Sequence, residues 1–559
     1  MANRRLLAYD EVGRPRGLRD PEAERQRVMP IHESPSTLLD VLGSAAARGS
    51  QPFMSYVDQL DQPPTESISY AEFDVQAHRV AANLYRHGVR QGDRVALVAL
   101  PKTDYVAVLG GAILLGAIPA PINHHFKARE LSATLELLQP AMVVVDSETV
   151  KMVELAIERL PDAPRIGGIS GFTGCDIVLT ADPGIRDYPR VTVTPDDPAL
   201  ILHSSGTTGL PKLVLRTHGS ITEFLNLFAE YFDEDEHLLN FLPLYHQAGL
   251  VLTVLTAFRL GVDVVQASRY STSSFWKLVD RYGATHVNLV SPMASFILSL
   301  PEAADDREHS LRWMVIAGRN DHWADFQDRF GVAGMTFYGS TETLQITSTG
   351  NPKGGPVPRK ILESVGADNY TGPTFGNLTE FRIITPDGER VTQPGAHGRL
   401  EVRGQYCFSE YFNQPDQTKA AFTSDGWFVT GDIGYTTPDE ALVLVGRESG
   451  MIRRSGENIA PREIELVLED HDAIKEALVV GVPDEARGQE ILAQVVREPG
   501  TSLTADDVFA YLEENLSTFK VPRYLKFRED FDRTATLKIK VGQDSGAPDR
   551  AIWHDRLGS

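Results

Sequence analysis

The sequence predicts an α/β protein: a large N-terminal domain of two parallel-rich α/β subdomains plus a small β-barrel, then a small, mobile α+β C-terminal domain. Three observations predict it. Continuous apolar runs alternate with stretches of helical period on both sides of residues 202–217, the pattern of a parallel sheet covered on both faces. After Gly366 the chain turns to short alternating pieces separated by glycines, such as Phe381-Arg-Ile-Ile-Thr and Gly398-Arg-Leu-Glu-Val-Arg, which suit a small antiparallel barrel or sheet. From Gly446 a basic, glycine-containing connector leads into a separate unit of ordinary domain size, so domains are expected over 1–448 and 449–559.

Each element has a local reason. Ser34 before Pro35 has the form of an N-cap with proline at the first helical position, and Leu38, Val41 and Leu42 recur on one face, so a helix is expected to start there. Residues 53–57 suit a strand. The stretch Ser69-Tyr70-Ala71-Glu72 opens a helix whose apolar positions Phe73, Ala77, Val80, Ala81 and Leu84 keep the helical period until Gly88 ends it. A strand over 95–100, a helix over 105–115, a strand over 117–122, a helix over 128–138 and a strand over 142–146 continue the alternation. Past the centre, helices over 221–232, 250–259 and 274–282 alternate with strands over 238–243, 262–266 and 286–290, and 311–317 and 335–338 are apolar enough for buried strands. In the last unit, helices over 461–471 and 505–516 and strands over 477–482 and 524–527 are expected. There is no internal repeat.

Composition excludes several classes of function. An apolar fraction of 42% over 559 residues rules out disorder over most of the chain. A formal charge of -22 argues against a nucleic-acid partner, which needs a basic footprint. Cys175 and Cys407 are too few for a disulfide framework and fit a reducing, cytoplasmic setting. The charged stretch to about Met29 has no signal-peptide core, and the most membrane-like run, 105–118, holds three glycines and ends at Pro119, so a buried helix is expected and no membrane span. Dimers being common among homo-oligomers, a homodimer is left open.

The chemistry gathers first in residues 202–217. Apolar runs over 199–202 and 213–215 suit strands, so 204–212 is the loop between them. Gly206 and Gly209 let the backbone approach an anion, Ser204, Ser205, Thr207 and Thr208 offer hydroxyls, and Lys212 offers a point charge. The same composition also serves an ordinary surface turn. A Walker loop is disfavoured, because Pro211 precedes Lys212 and an apolar run follows where a helix should open. What Ser-Ser-Gly-Thr-Thr-Gly-Leu-Pro-Lys does resemble is the signature loop of the adenylate-forming enzymes: acyl-CoA synthetases, aryl-CoA ligases, peptide-synthetase adenylation domains and firefly-type luciferases.

Further stretches resemble the other motifs of that family, in its order. Tyr338-Gly339-Ser340-Thr341-Glu342 implies Tyr338 against adenine, Thr341 on the α-phosphate and Glu342 on Mg²⁺; a hard cation takes oxygen ligands. Thr207 is counted with Glu342 at the metal. Gly426 to Asp432 implies Asp432 on the ribose hydroxyls, and Arg447 a second ribose or phosphate contact. Tyr245-His246-Gln247-Ala248-Gly249 resembles the acyl-site motif, with His246 gating the carboxylate; a core histidine is the competing reading. A neutral imidazole gives an α-ammonium no counter-charge, which favours a plain carboxylic acid. Val290, Ser291, Pro292, Ala317, Gly318, Arg319 and Phe337 line that pocket by position in the family, Gly318 being counted also with the nucleotide contacts. Ser455-Gly456-Glu457-Asn458-Ile459, with Gly456 as a cofactor contact, the helix after Pro461, and the segment from Phe519 resemble the C-terminal domain of acyl-CoA synthetases. Arg533-Thr-Ala-Thr-Leu-Lys resembles the last motif and implies Lys538 as the lysine bridging carboxylate and phosphate.

The resemblance implies a two-step reaction: attack of a carboxylate on MgATP to give an acyl-adenylate and pyrophosphate, then rotation of the small domain and transfer of the acyl group to coenzyme A. Ser449 stands where the family's hinge is commonly aspartate or lysine, Leu537 where a glycine precedes the lysine, and Asp532 where a proline opens that motif. Lys540 is therefore a rival to Lys538. The alternative is adenylation alone, with the adenylate passed to a separate thioester-forming enzyme or carrier protein. Apolar residues around 290–300 and 317–346 suit a small-molecule acid with an apolar body, leaving fatty, aromatic and polycyclic terpenoid acids open.

Overall fold

The computed structural model describes residues 34–169, 171, 172, 174, 175, 177–180, 187–204, 212–233, 235–317, 321–348, 370–372, 379–438, 440–454, 457–459, 461–484, 487–516, 518, 520–533, 539 and 553–556. The chain divides into two compact units, Met1–Glu380 with Val402–Phe428 and Phe381–Glu401 with Val429–Ser559.

The first unit is built on two large sheets. One is parallel throughout, in the order Ile118–Pro121, Arg94–Val98, Met142–Val145, Arg165–Gly168, Ile177–Val178. The other runs Ala333–Met335, Trp313–Ala317, His286–Val290, His237–Asn240, Asp263–Ala267, Pro52–Val57, all parallel, and closes with the antiparallel edge strand Glu66–Ser69. The central strands are buried along their length, which is why they read as unbroken apolar runs.

The helix Tyr70–Arg86 starts where its sequence says. Ser69 and Glu72 form a reciprocal capping box, and Gly88 follows at φ +92°. Its face lies against Thr103–Leu114, the apolar run that was expected as a buried helix. Contact is close because Gly111 has no side chain: a Cβ there would stand 2.7 Å from the Ala77 carbonyl oxygen. Among the described residues no helix is long and apolar enough to cross a membrane.

Three expectations are corrected. The helix expected to open at Ser34 is Leu38–Ala46, the first among the described residues, because the Thr37 backbone N–H and hydroxyl both reach Asp40 Oδ2 at 2.9 Å and supply the cap three residues later. Residues 250–259 are not one α-helix: Leu250–Leu255 is a π-turn continued by Thr256–Leu260, and the Thr256 hydroxyl donates five residues back, to the Val251 carbonyl at 2.9 Å. The single strand expected over 335–338 is two, the parallel edge Ala333–Met335 and then Phe337–Ser340, which folds back antiparallel on Leu344–Ser348.

In the second unit, Phe428–Thr436 pairs antiparallel with Leu442–Arg447. Beyond it the long hairpin Ile474–Asp484 and Gly488–Arg497, with Tyr524–Arg528 parallel to its second strand, packs Ala477, Val479, Ile491, Ala493 and Val495 under the helices Pro461–Glu469 and Ala505–Asn515. The strand Gly488–Arg497 was not expected. The division expected after residue 448 lies inside this second unit, at the short 3₁₀ turn Glu448–Gly450, whereas the compact units part at 380/381, 401/402 and 428/429.

Candidate active site

The strands Pro198–Ser204 and Lys212–Thr217 form an antiparallel hairpin whose last described pair is Ser204 opposite Lys212. Ser205, Gly206, Thr207, Thr208 and Gly209 lie outside the described residues. Strand alternation puts Lys212, Val214 and Arg216 on one face. Val214 packs with Phe408, Tyr411 and Phe428, held there because Glu410–Tyr411 pairs antiparallel with the same strand, Tyr411 opposite Val214.

Glu342 meets this face. Its side chain, 9% exposed, accepts hydrogen bonds from the Tyr411 hydroxyl at 3.0 Å and the Ser204 hydroxyl at 3.2 Å. Both fall on Oε1, and among the described residues Oε2 accepts none. Lys212 Nζ stands 3.5 Å from the Tyr411 hydroxyl and 4.7 Å from its ring centroid, a cation–π distance. The backbone beside Glu342 is fastened as well: its carbonyl accepts from the Phe408 N–H at 2.7 Å, and Arg216 donates to the Thr341 carbonyl at 2.7 Å and to the Tyr406 carbonyl. Arg216 is fully buried, and burial lowers its pKa to about 10, with Cys407 and Glu342 acting in the opposite direction.

The motif carrying Glu342 is the end of the Phe337–Ser340 hairpin. Tyr338 is buried in its first strand, and the turn is tied by the Ser340 N–H to Thr343 Oγ1 at 3.0 Å and the Glu342 N–H to Ser340 Oγ at 3.2 Å. Leu344 holds φ +54° to close it, and any side chain at Gly339 would run into the Leu344 carbonyl. The motif follows a parallel edge strand, as expected, but its residues belong to an antiparallel turn.

His246, expected at the acid, precedes the short helix Gln247–Gly249. Its ring lies 4.6 Å from Tyr245 and 6.0 Å from His203 by centroids. His203 stacks on Tyr245 at 5.8 Å, His124 meets Tyr245 edge-on at 5.5 Å, and His203 Nε2 accepts the Asn123 N–H at 3.1 Å. That acceptor role places the ring hydrogen of neutral His203 on Nδ1. Burial depresses the pKa of His203 to about 3, reinforced by His246, and that of His124 to about 4; it raises Tyr245 to about 12. His203, His124 and Tyr245 are therefore uncharged near neutrality. Val290 and Ala317 are paired in register at neighbouring strand ends, and Phe337 is buried. Ser291 and Pro292 open the helix Ser291–Leu298, whereas Gly318 and Arg319 lie outside the described residues.

In the second unit, Asp432 and Arg447 are directly opposite on their strands and form an ion pair, Arg447 Nε to Asp432 Oδ1, at 2.7 Å. Gly431 takes φ +75°, and the Asp432 N–H donates to Thr430 Oγ1 at 3.0 Å. Gly456, Leu537, Lys538 and Lys540 lie outside the described residues, while Asp532 is exposed.

Four residues of these clusters had not been singled out: Tyr411, Arg216, His203 and His124. The strand alternation from Lys212 points to Arg216. His203 sits one residue before the loop, and Tyr411 has no local signal, since strand pairing across the sequence brings it in. A mostly buried carboxylate with one oxygen engaged by hydroxyls, a lysine beside it and hydroxyl- and glycine-rich chain between Ser204 and Lys212 is a donor set suited to a polyphosphate with an oxygen-bound divalent cation.

Residues 44–412 match the family model described as AMP-binding enzyme, and residues 463–538 the one described as AMP-binding enzyme C-terminal domain. A crotonobetaine/carnitine–CoA ligase of Salmonella arizonae is 31% identical over 497 residues, covering 85% of this chain and 92% of that protein. The ATP-bound structure of MatB from Rhodopseudomonas palustris matches the fold with a TM-score of 0.78 at 24% identity, over 89% of this chain and 97% of that one. The amide bond synthetase McbA from Marinactinospora thermotolerans matches with a TM-score of 0.79 at 21% identity, over 91% and 98%.

Proposed function

The chain belongs to the AMP-binding enzyme family, and on that premise we propose which of its residues carry each step of its reaction. It is an ATP-dependent acid:CoA ligase of the AMP-forming kind: it activates a carboxylic acid to an acyl-adenylate with release of pyrophosphate, then passes the acyl group to coenzyme A. The observation that carries the residue assignment is the joining of Ser204, Lys212, Tyr411 and Glu342 by hydroxyl contacts at the neck of the hydroxyl-rich loop.

Both reactants of the first step are anions, so the site has to offset repulsion and hold the carboxylate in line with the α-phosphorus. Lys212 and the hydroxyls of Thr207 and Thr208 take the outer phosphates, Thr341 the α-phosphate, and Tyr338 the adenine. Glu342, with Thr207, would hold Mg²⁺, which when bound neutralises phosphate charge. Asp432 accepts the ribose hydroxyls and Arg447 keeps that carboxylate oriented. Lys538 bridges the carboxylate and the phosphate. His246, backed by Tyr245 and His203, faces the acid. Because burial keeps His203 and His124 neutral, the group gives a substrate ammonium no counter-charge, and the substrate is a plain acid with an apolar body. In the second step the part of the second unit that follows the Glu448–Gly450 segment, which carries Lys538, turns about that segment. Cys175 and Cys407 are not joined in a disulfide, which fits a cytoplasmic setting.

The deciding experiment is incubation with MgATP and a panel of fatty, aromatic and terpenoid acids, with and without coenzyme A, read by mass spectrometry. Acyl-CoA is expected; acyl-adenylate that coenzyme A leaves unchanged would restrict the chain to the first step.

A further inference from the structure

We propose that Tyr411 is a positioning residue that decides which oxygen of Glu342 is offered to the nucleotide's divalent cation. This rests on Glu342 being the cation ligand. Two hydroxyls, from Tyr411 at 3.0 Å and Ser204 at 3.2 Å, converge on Oε1 of Glu342, and among the described residues Oε2 receives no hydrogen bond. A carboxylate used in that way is a one-oxygen ligand: Oε1 is engaged by protons that cannot share it with a cation at about 2.1 Å, and Oε2 keeps its lone pairs.

Tyr411 is built to hold that geometry. Its backbone is paired with Val214 in the strand that starts at Lys212, its N–H donates to Thr418 Oγ1 at 2.9 Å, and its ring packs with Val214, Phe408 and Phe428. Its other face carries Lys212, 4.7 Å from the ring centroid. One ring therefore spaces the lysine assigned to the outer phosphates from the carboxylate assigned to the cation. Ring packing explains an aromatic residue at 411, but not a hydroxyl aimed at a carboxylate oxygen, since phenylalanine would pack as well.

The test separates hydroxyl from ring. Calorimetric titration gives the ratio of dissociation constants for ATP in EDTA and ATP in saturating Mg²⁺, which is the cation's contribution to binding. Tyr411→Phe is expected to shrink that ratio about tenfold, the size of one hydrogen bond to a charged group, with the KM for the acid unchanged. Ser204→Ala attacks the same oxygen from the other side and should move the ratio in the same direction. Glu342→Gln should abolish the ratio. If Glu342→Gln does so while Tyr411→Phe and Ser204→Ala leave it at the wild-type value, the positioning role is overturned alone. If Glu342→Gln keeps the wild-type ratio, the cation assignment fails and the proposal with it.

Discussion

The guanidinium of Arg216 donates to the carbonyl oxygen of Thr341 at 2.7 Å, so a fully buried cation holds the backbone one residue before Glu342. It also donates to a second carbonyl, that of Tyr406, and among the described residues no carboxylate lies within ion-pair distance. The side chain thus fastens two loops rather than balancing a charge.

Arg216→Met leaves both carbonyls buried without a donor. At about 1–3 kcal/mol for each unsatisfied group, the variant should lose roughly 2–6 kcal/mol of stability, and its ATP–pyrophosphate exchange should weaken at temperatures where it is still folded. Urea unfolding followed by fluorescence measures the first. A midpoint equal to wild type would mean that the loops are held by other contacts.

Removing a preorganised donor from a transition state typically costs about 10² to 10³ in rate. Lys538→Ala should lose that much in ATP–pyrophosphate exchange with ATP binding almost intact. If Lys540→Ala shows the loss and Lys538→Ala does not, the assignment passes to Lys540.

Asp432→Asn breaks the ion pair with Arg447, whose side chain is 58% exposed. Exposed pairs contribute about 0–1 kcal/mol, so the unfolding temperature should barely move. The KM for ATP should rise about tenfold to a hundredfold, as expected from losing a charge-assisted hydrogen bond to ribose. Steady-state kinetics in ATP, with the KM for the acid as the internal control, decides it.

His203 and His124 are neutral in the folded state down to about pH 3 and 4, but in the unfolded chain they protonate near pH 6.5. The unfolded state binds more protons below that value, so the stability these residues support is complete above about pH 6.5 and is lost as pH falls toward their folded values. Each contributes a slope of about 1.4 kcal/mol per pH unit in that window. His203→Gln should flatten the dependence of unfolding free energy on pH between 6 and 4 by about one proton. An unchanged slope would show that the His203 ring is solvated.

Much of the fold was legible because it is written locally. Ser69 and Glu72 cap their helix with their own side chains, and the strands around Val95 and Val143 are buried on both faces, so they read as apolar runs. The candidate site was legible where one turn carries several groups, as at Ser204 to Lys212 and Tyr338 to Glu342. It was not legible where residues far apart are joined by pairing: Tyr411 reaches Glu342 from 69 residues away, and Arg216 reaches Thr341 from 125. The first helix was misplaced because Pro35 is a correct first-turn residue in general, but Thr37 and Asp40 offer a better cap.

The strand Lys212–Thr217 uses one face for two jobs, the lysine at its start and the buried arginine four residues on. Inserting or deleting a single residue between them reverses every side chain beyond the change, sending Arg216 to the opposite face and a leucine toward the Thr341 carbonyl. A two-residue change restores the face but displaces the guanidinium by about 7 Å along the strand. Natural variants and engineered libraries should therefore tolerate substitution at the apolar positions here while rejecting any change of length. This short strand is a fixed ruler on which indels are lethal to activity.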